Sequence, residues 1–418
     1  MPAEQGSVNQ LVGHLFRHEA GKMAAVLTRL LGFHNINIAE DLVQDTLLQA
    51  MSVWKFKGVP DNPAAWLYTV AKNKAIDYLR SEKRKQVADD KLSVLLKSEW
   101  TLVPTVKNHF LEHEIEDSQL RMIFACCHPA LPYESQIALT LKTLCGLSVR
   151  EIANGFLTTD DVIAKRIYRA KEKLRAEEVP MEIPAMDLVP RLDTVLKTLY
   201  LLFNEGYNSS NTSELIREDL CGEAMRLCIL LTENELCNQP STNALLALMC
   251  LQASRFNARI DHAGEIILLK DQDRSTWNKK LIEKGIRYLQ RSDRNAARSE
   301  YQIEASIAAC HALASDFSKT NWSVIYALYS ELAVIKPGPV VEMNRAIAKG
   351  YSDSPRAGLD HLLAIEGLEG NHLYQTALGD FYRELKQYKE ANAAYQTALE
   401  LTPSEKQKAL LRKKLTEA

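Results

Sequence analysis

The stretch Pro63-Ala-Ala-Trp-Leu-Tyr-Thr-Val-Ala-Lys-Asn-Lys-Ala-Ile-Asp-Tyr-Leu-Arg-Ser-Glu-Lys-Arg-Lys85 decides how the chain is read. At helical spacing Trp66, Leu67, Val70, Ala71, Ala75, Ile76 and Leu79 form one apolar stripe. The other face carries Lys72, Lys74, Arg80, Lys83, Arg84 and Lys85 against only Asp77 and Glu82. Asn62 is a good N-cap and Pro63 a good first-turn residue, so the helix is expected to start there. Cations on such a face suit phosphates, and rings at one end suit stacking on bases. A solvated charged face on a core-packing helix has the same composition, so this stretch alone leaves both readings open.

Working outward, the 418 residues are enough for two or three domains. Hydrophobic content of 46% and charged content of 25% describe an ordinary folded protein rather than a disordered one. Only 17 glycines and 14 prolines favour long helices over a turn-rich β fold. A net charge of −2 neither supports nor excludes nucleic acid, because basic segments can be offset elsewhere. The eight cysteines include no Cys-x-x-Cys pair, and the adjacent Cys126-Cys127-His128 is poorly spaced for metal ligation. Buried thiols in a reducing compartment are expected, with no metal and no cofactor. There is no signal-peptide pattern and no apolar run long enough for a bilayer, so a cytoplasmic protein without membrane contact is expected.

Upstream, residues 8–58 read as two helices. The first takes its apolar face from Leu11, Leu15, Met23, Val26, Leu27 and Leu30. The second, 39–54, turns Leu42, Val43, Leu47, Ala50 and Trp54 inward and Glu40, Asp41, Gln44 and Asp45 outward. Acids in a first turn are favourable on dipole grounds alone. Downstream, 86–112 is a polar connector. Residues 117–175 hold a helix, a turn and a second helix with Val162, Ile163, Ile167, Ala170 and Leu174 inward. Lys165, Arg166, Arg169, Lys171, Lys173 and Arg175 are expected outward, and Ser148 or Thr158/Thr159 can cap the helix starts. A helix-turn-helix lays such a second helix in the major groove.

Taken as a string, Trp-Leu-Tyr-x-Val-Ala-x-Asn-x-Ala-Ile-Asp-Tyr-Leu-Arg resembles the promoter-melting helix of bacterial extracytoplasmic-function (ECF) sigma factors. The resemblance implies that Asn73 helps hold a base flipped from the non-template strand, with Trp66, Lys72, Lys74, Arg80 and Arg84 around the minus-ten element. Ala-Glu-Asp-x-x-Gln-Asp resembles the segment that docks on the RNA polymerase clamp, which makes Asp41, Gln44 and Asp45 polymerase-facing. Arg-Ile-Tyr-Arg-Ala-Lys-Glu-Lys-Leu-Arg resembles the minus-thirty-five reader and implies DNA contacts from Lys165, Arg166, Arg169 and Lys171. Two departures stand out: Leu157 occupies the turn where the family commonly has Gly, and Asp160 and Asp161 open the recognition helix.

Residues 179–190 carry three prolines and read as a linker. A chain ending near Glu178 is therefore expected to fold by itself. Residues 191–418 read as a helical extension. Leu378, Gly379, Tyr382, Ala391, Tyr395, Ala398 and Pro403 fall at tetratricopeptide (TPR) spacing, clearest over 372–405, with degenerate units before it. Glu205, Asp271 and Asp273 offer carboxylates of the type that catalysis uses, but acids in loops more often cap helices or pair with Arg, here Arg274. No phosphate-binding loop, zinc-protease His pair or nucleophile elbow occurs, so the protein is not expected to be an enzyme.

The expected fold is thus all-α. It comprises sigma region 2 over 8–86, a region 4 helix-turn-helix over 112–178, and a TPR-like domain over 191–418. Core RNA polymerase and promoter DNA are the implied partners, with a protein or peptide ligand for the extension. The competing function is a helix-turn-helix regulator with a helical scaffold that does not bind polymerase; the acidic helix over 39–54 would have no use there.

Overall fold

The computed structural model describes residues 2–85, 99–156, 158–208, 216–262, 264–293, 297–402 and 404–416, with side chains described over 15–82 and from 103 onward. The expectations for the side chains of Leu11 and Arg84, for Leu157 and Pro403, and for the connector over 86–98 lie outside these residues. The described residues are all-α, with nineteen α-helices and one isolated antiparallel bridge between Ile260 and Ile266. The chain forms two compact units, Met1–Asn211 with Arg217–Cys237, and Thr212–Ile216 with Asn238–Ala418.

The first unit begins with α1 (Pro2–Leu31), α2 (Ile36–Lys57) and α3 (Pro63–Lys85). Gly58 ends α2 at φ +77°, its N–H returning to the Trp54 carbonyl at 3.0 Å, a stop that favours glycine. Asn62 accepts from the Ala65 N–H at 3.0 Å and so caps α3. The apolar stripe of α3 goes inward: Leu67, Ala71, Ala75, Ile76 and Leu79 share one core with Met23, Leu27, Val43 and Trp54. That core also takes Val106 and Phe110, from α4 (Glu99–His109) and the turn after it, and Ile115 from α5 (Glu112–Cys126). The second half of the expected connector therefore contains a helix that helps close the core.

α6 (Tyr133–Thr143), α7 (Val149–Gly155) and α8 (Asp160–Ala176) follow. Ser148 and Glu151 form a reciprocal capping box at the start of α7. Thr159 takes the N-cap position of α8 but makes no side-chain cap bond. Ile163, Ile167, Ala170 and Leu174 are buried, as their spacing predicts, but Val162, expected inward with them, is 43% exposed in the first turn of α8.

The stretch 179–190 is only partly a break. Helix α9 (Ala185–Tyr207) starts inside it, with Pro190 held within the helix at the cost of one backbone bond. Leu192, Val195, Leu196, Leu199, Leu202 and Phe203 are buried as α9 packs on α5 and α6, and α10 (Glu218–Glu233) packs on α9 and α5. At about 1.5–3 kcal/mol per fully buried large apolar side chain, this attachment is substantial. The first unit consequently runs to Cys237 and includes two helices of the expected extension.

The second unit holds α11 (Pro240–Ala253), α12 (Lys279–Ser292), α13 (Glu300–Leu313), α14 (Trp322–Ile335) and α15 (Pro339–Ser352). It continues through α16 (Pro355–Leu363), α17 (His372–Glu384), α18 (Tyr388–Leu401) and α19 (Glu405–Thr416). Neighbouring helices pack in sequence. α17 and α18 form a hairpin within the repeat expected over 372–405: Ala391, Tyr395 and Ala398 are fully buried. A Cβ at Gly379 would lie 2.5 Å from the Tyr395 ring, so the missing side chain is what admits the ring.

Candidate functional site

α2 presents the expected acidic face. Asp41, Gln44 and Asp45 are all exposed, while Val43, Thr46, Ala50 and Trp54 point into the core. Beside them Leu48 is 61% exposed and Met51 59%. Sequence reading passed over this apolar pair. Its signal was their spacing of four and seven residues from Gln44, which puts them on the same side as the acids. The face thus combines charge with apolar area, the mixture a protein partner desolvates.

α3 runs beside it. Asn73 is exposed, and Lys74 lies 4.0 Å from Asp45, tying the edges of the two helices together. Lys72 is half-buried, with Nζ 5.9 Å from the centre of the Phe110 ring, and Arg80 lies 3.9 Å from Asp77. Trp66 is half-buried edge-on to Trp54 at 5.4 Å, and Trp54 meets Phe16 at 5.5 Å. Trp66 therefore serves the core with one part of its ring and offers only the remainder to a ligand.

Behind this surface sits a buried acid. Glu19 on α1 accepts from the Tyr68 hydroxyl, contacts His18 at 2.9 Å and faces Lys22 at 3.2 Å. Burial alone would raise its carboxyl pKa; the hydrogen bonds and the nearby positive charge win and hold it at about 2. The same burial and the anionic Glu19 push Tyr68 well above the usual phenol range. Tyr68, one of the rings in the opening stretch, is thus an anchor of α3 to α1.

On α8 the expected basic residues divide. Lys165 and Arg169 are exposed, together with Tyr168 at 64%. Arg166 is half-buried, 2.8 Å from Glu134 and 5.3 Å from the centre of the Phe156 ring. Lys171 departs from the expectation: it is 9% exposed, with Nζ 2.5 Å from the Glu40 carboxylate. Four residues after Ile167, it lies over the buried side of the helix.

The remaining candidates resolve into structure. Cys126 and Cys127 are fully buried, which pushes both thiols up to about 12 and keeps them protonated at neutral pH. Asp273 caps a short 3₁₀ turn by accepting from the Ser275 N–H at 2.9 Å. Arg274 does not pair with it: its guanidinium donates to the carbonyls of His311 and Ala314 and to the Thr320 hydroxyl, satisfying the end of α13. Among the described residues no helix is long and apolar enough to cross a membrane.

This architecture agrees with the comparisons to known proteins. Residues 15–85 match the family model for Sigma-70 region 2. Over 166 residues the chain is 30% identical to an ECF RNA polymerase sigma-E factor of Haemophilus influenzae, spanning 38% of this chain and 83% of that protein. An RNA polymerase sigma factor, SigV, of Bacillus subtilis is 24% identical over 144 residues, 34% of this chain and 77% of that protein. The chain belongs to the ECF sigma factor family. An uncharacterized protein of Rhizobium meliloti is 37% identical over 387 residues, covering 92% of this chain and 90% of the relative. Residues 191–293 match a family of unknown function. In the α17–α18 hairpin, Ala391, Tyr395 and Ala398, three of the residues at the TPR spacing, line the buried helix contact. No solved structure matches the chain.

Proposed function

We propose that this protein is a sigma factor that binds core RNA polymerase and directs promoter recognition and transcription initiation. The observation that carries the reading is the surface of α2 and α3. Asp41, Gln44 and Asp45 stand exposed beside Leu48 and Met51, and Asn73 stands exposed on the neighbouring helix, within the segment that matches Sigma-70 region 2. α2 serves as the polymerase-docking helix. α3 holds the melted minus-ten strand, with Asn73 as the base contact and Lys72, Lys74 and Arg80 near the backbone; Trp66 contributes through its exposed part. α8 meets the second promoter element through Lys165 and Arg169, with Arg166 at its margin. The helical hairpins of the second unit serve regulation or the binding of a protein or peptide.

Run-off transcription with purified core polymerase, using the promoter of the protein's own operon, tests this reading. Specific transcripts that require the protein are expected. A protein that shifts promoter DNA but never associates with core polymerase would instead be a regulator of the helix-turn-helix type.

A further inference from the structure

In the second unit the connection from α11 to α12, residues 254–278, holds only short 3₁₀ turns and one β-bridge. Irregular stretches longer than about 12–15 residues are uncommon in compact domains and are usually functional. The two ends of this one are pinned together. The Asn278 N–H donates to the Ser254 carbonyl at 2.7 Å, and the buried Trp277 carries the Arg274 guanidinium 5.3 Å from its ring centre. Between the ends the segment bonds to itself. The Ile267 N–H donates to the Arg259 carbonyl at 2.9 Å, the Asp261 N–H to the Glu265 carbonyl at 3.0 Å, and Gln272 Nε2 to the Ile267 carbonyl at 3.1 Å. Ile266, Ile267, Leu268 and Leu269 are each half-buried, the state of a docked strand rather than of a core.

The helices it lies against are every second one of the stack. α13 and α15 share a core through Ile303, Ile307 and Ala348, α15 packs on α17, and Lys414 of α19 pairs with Asp380 of α17. These four helices thus form one row, and the segment reaches all of them. Arg274 donates to the carbonyls that end α13, and the turn Leu269–Asp271 packs on the turn Phe317–Lys319 that follows it. On α15 the Tyr351 phenol is pushed up to about 12 by burial, then by the charges of Glu384, Asp380 and Asp271. On α17 partial burial and Asp380 raise the Glu384 carboxyl pKa, and Lys270 opposes them. Gly264, at φ +80° in the turn of the segment, faces α19: a Cβ there would lie 3.8 Å from Lys406 Nζ.

We infer that residues 259–273 are an internal ligand filling the partner-binding face of the second unit, so that a partner enters only by displacing them. The inference rests on the partner-binding role proposed for this unit and is independent of the sigma-factor reading of the first. A row of alternate helices is the surface on which a helical repeat takes up an extended peptide. The seated segment shows the chemistry that the face accepts: an aliphatic run, Ile266 to Leu269, followed by Lys270 beside the acids of α17. The partner is therefore a protein presenting an extended aliphatic run that ends in a lysine. Because the backbone bonds of the segment run within it, its release breaks side-chain contacts and leaves the helices paired. Arg274 and Trp277 hold the pivot.

The test uses the full-length chain with residues 260–272 replaced by a glycine–serine linker of the same length, which keeps Arg274 and Trp277. The probe is a fluorescein-labelled peptide of residues 259–273, read by anisotropy. The linker variant should bind it saturably and at least about tenfold more tightly than wild type, because a tethered segment competes at an effective concentration of about a millimolar. Glu384→Lys in the linker variant should weaken binding, and a Lys270→Glu peptide should restore it, as a misfolded variant would not. Hydrogen exchange of wild type is the second measurement: the Ile267 and Asp271 amides should exchange while α13 and α17 stay protected. Equal peptide binding by wild type and linker variant would overturn the filled face and leave the partner-binding role standing. No binding by a linker variant of full helix content would overturn both. Ile267 and Asp271 amides that exchange only as α13 and α17 unfold would make the segment a fixed part of the fold and overturn its displacement.

Discussion

The buried carboxylate Glu19 makes the α1–α3 interface acid-sensitive in a way that can be worked out in advance. Its pKa in the folded chain is about 2, against an ordinary 4.5. A depressed carboxylate pKa stabilises the fold fully above the unfolded value and loses that contribution as pH falls toward the folded one. The gap corresponds to about 3 kcal/mol, and with the side chain 5% exposed little of it is screened away. Glu19→Gln keeps the shape but removes the titration. Between about pH 6 and about pH 2 the wild-type advantage over Glu19→Gln should shrink by about 3 kcal/mol, roughly a hundredfold in hydrogen-exchange protection of α1 and α3 amides. Tyr68→Phe, which removes one of the stabilising donors, should move the loss to higher pH. Wild-type and Glu19→Gln protection curves that run parallel across this range would refute the assignment of a charged Glu19 at the centre of the interface.

Asp45→Arg should weaken co-purification with core polymerase while leaving helicity intact, since Asp45 is exposed and its contact to Lys74 is long; unchanged retention would remove α2 from the docking surface. Replacing Lys165 and Arg169 with Ala should lower the log–log salt slope of promoter binding by about two, whereas Arg166→Ala should act partly through α8 stability; a filter-binding titration over salt separates these effects. A chain ending at Cys237 should remain soluble, while one ending at Glu178 should aggregate because it uncovers the α5 and α6 surfaces that α9 buries; size-exclusion chromatography of both decides this. The last outcome reverses what the three prolines over 179–190 imply.

Why that boundary was illegible is a matter of range. The period of Leu192, Val195, Leu196 and Leu199 announces an amphipathic helix but carries no information on which neighbour it covers. The three prolines mark a local break in backbone, not the end of a core. By contrast the start and the buried face of α3 were legible, because Asn62, Pro63 and the apolar stripe from Leu67 to Leu79 all act locally. On α8 the count of cations concealed their division. Lys171 shares a side with Ile163, Ile167 and Leu174, and reading it by register rather than by charge would have placed it inward. Trp66 and Tyr68 show the same limit: an aromatic on a basic helix can face a base or anchor a core, and here Trp54 and Glu19 account for much of each.

The thiols supply the protein with a built-in unfolding clock. Cys126, Cys127, Cys145, Cys221, Cys228 and Cys237 are buried in the first unit, and Cys250 is buried in the second. None can meet an alkylating reagent until its surroundings open. Mass-resolved alkylation of the native chain therefore reports, without any engineered probe, how often each unit opens and whether the two open together.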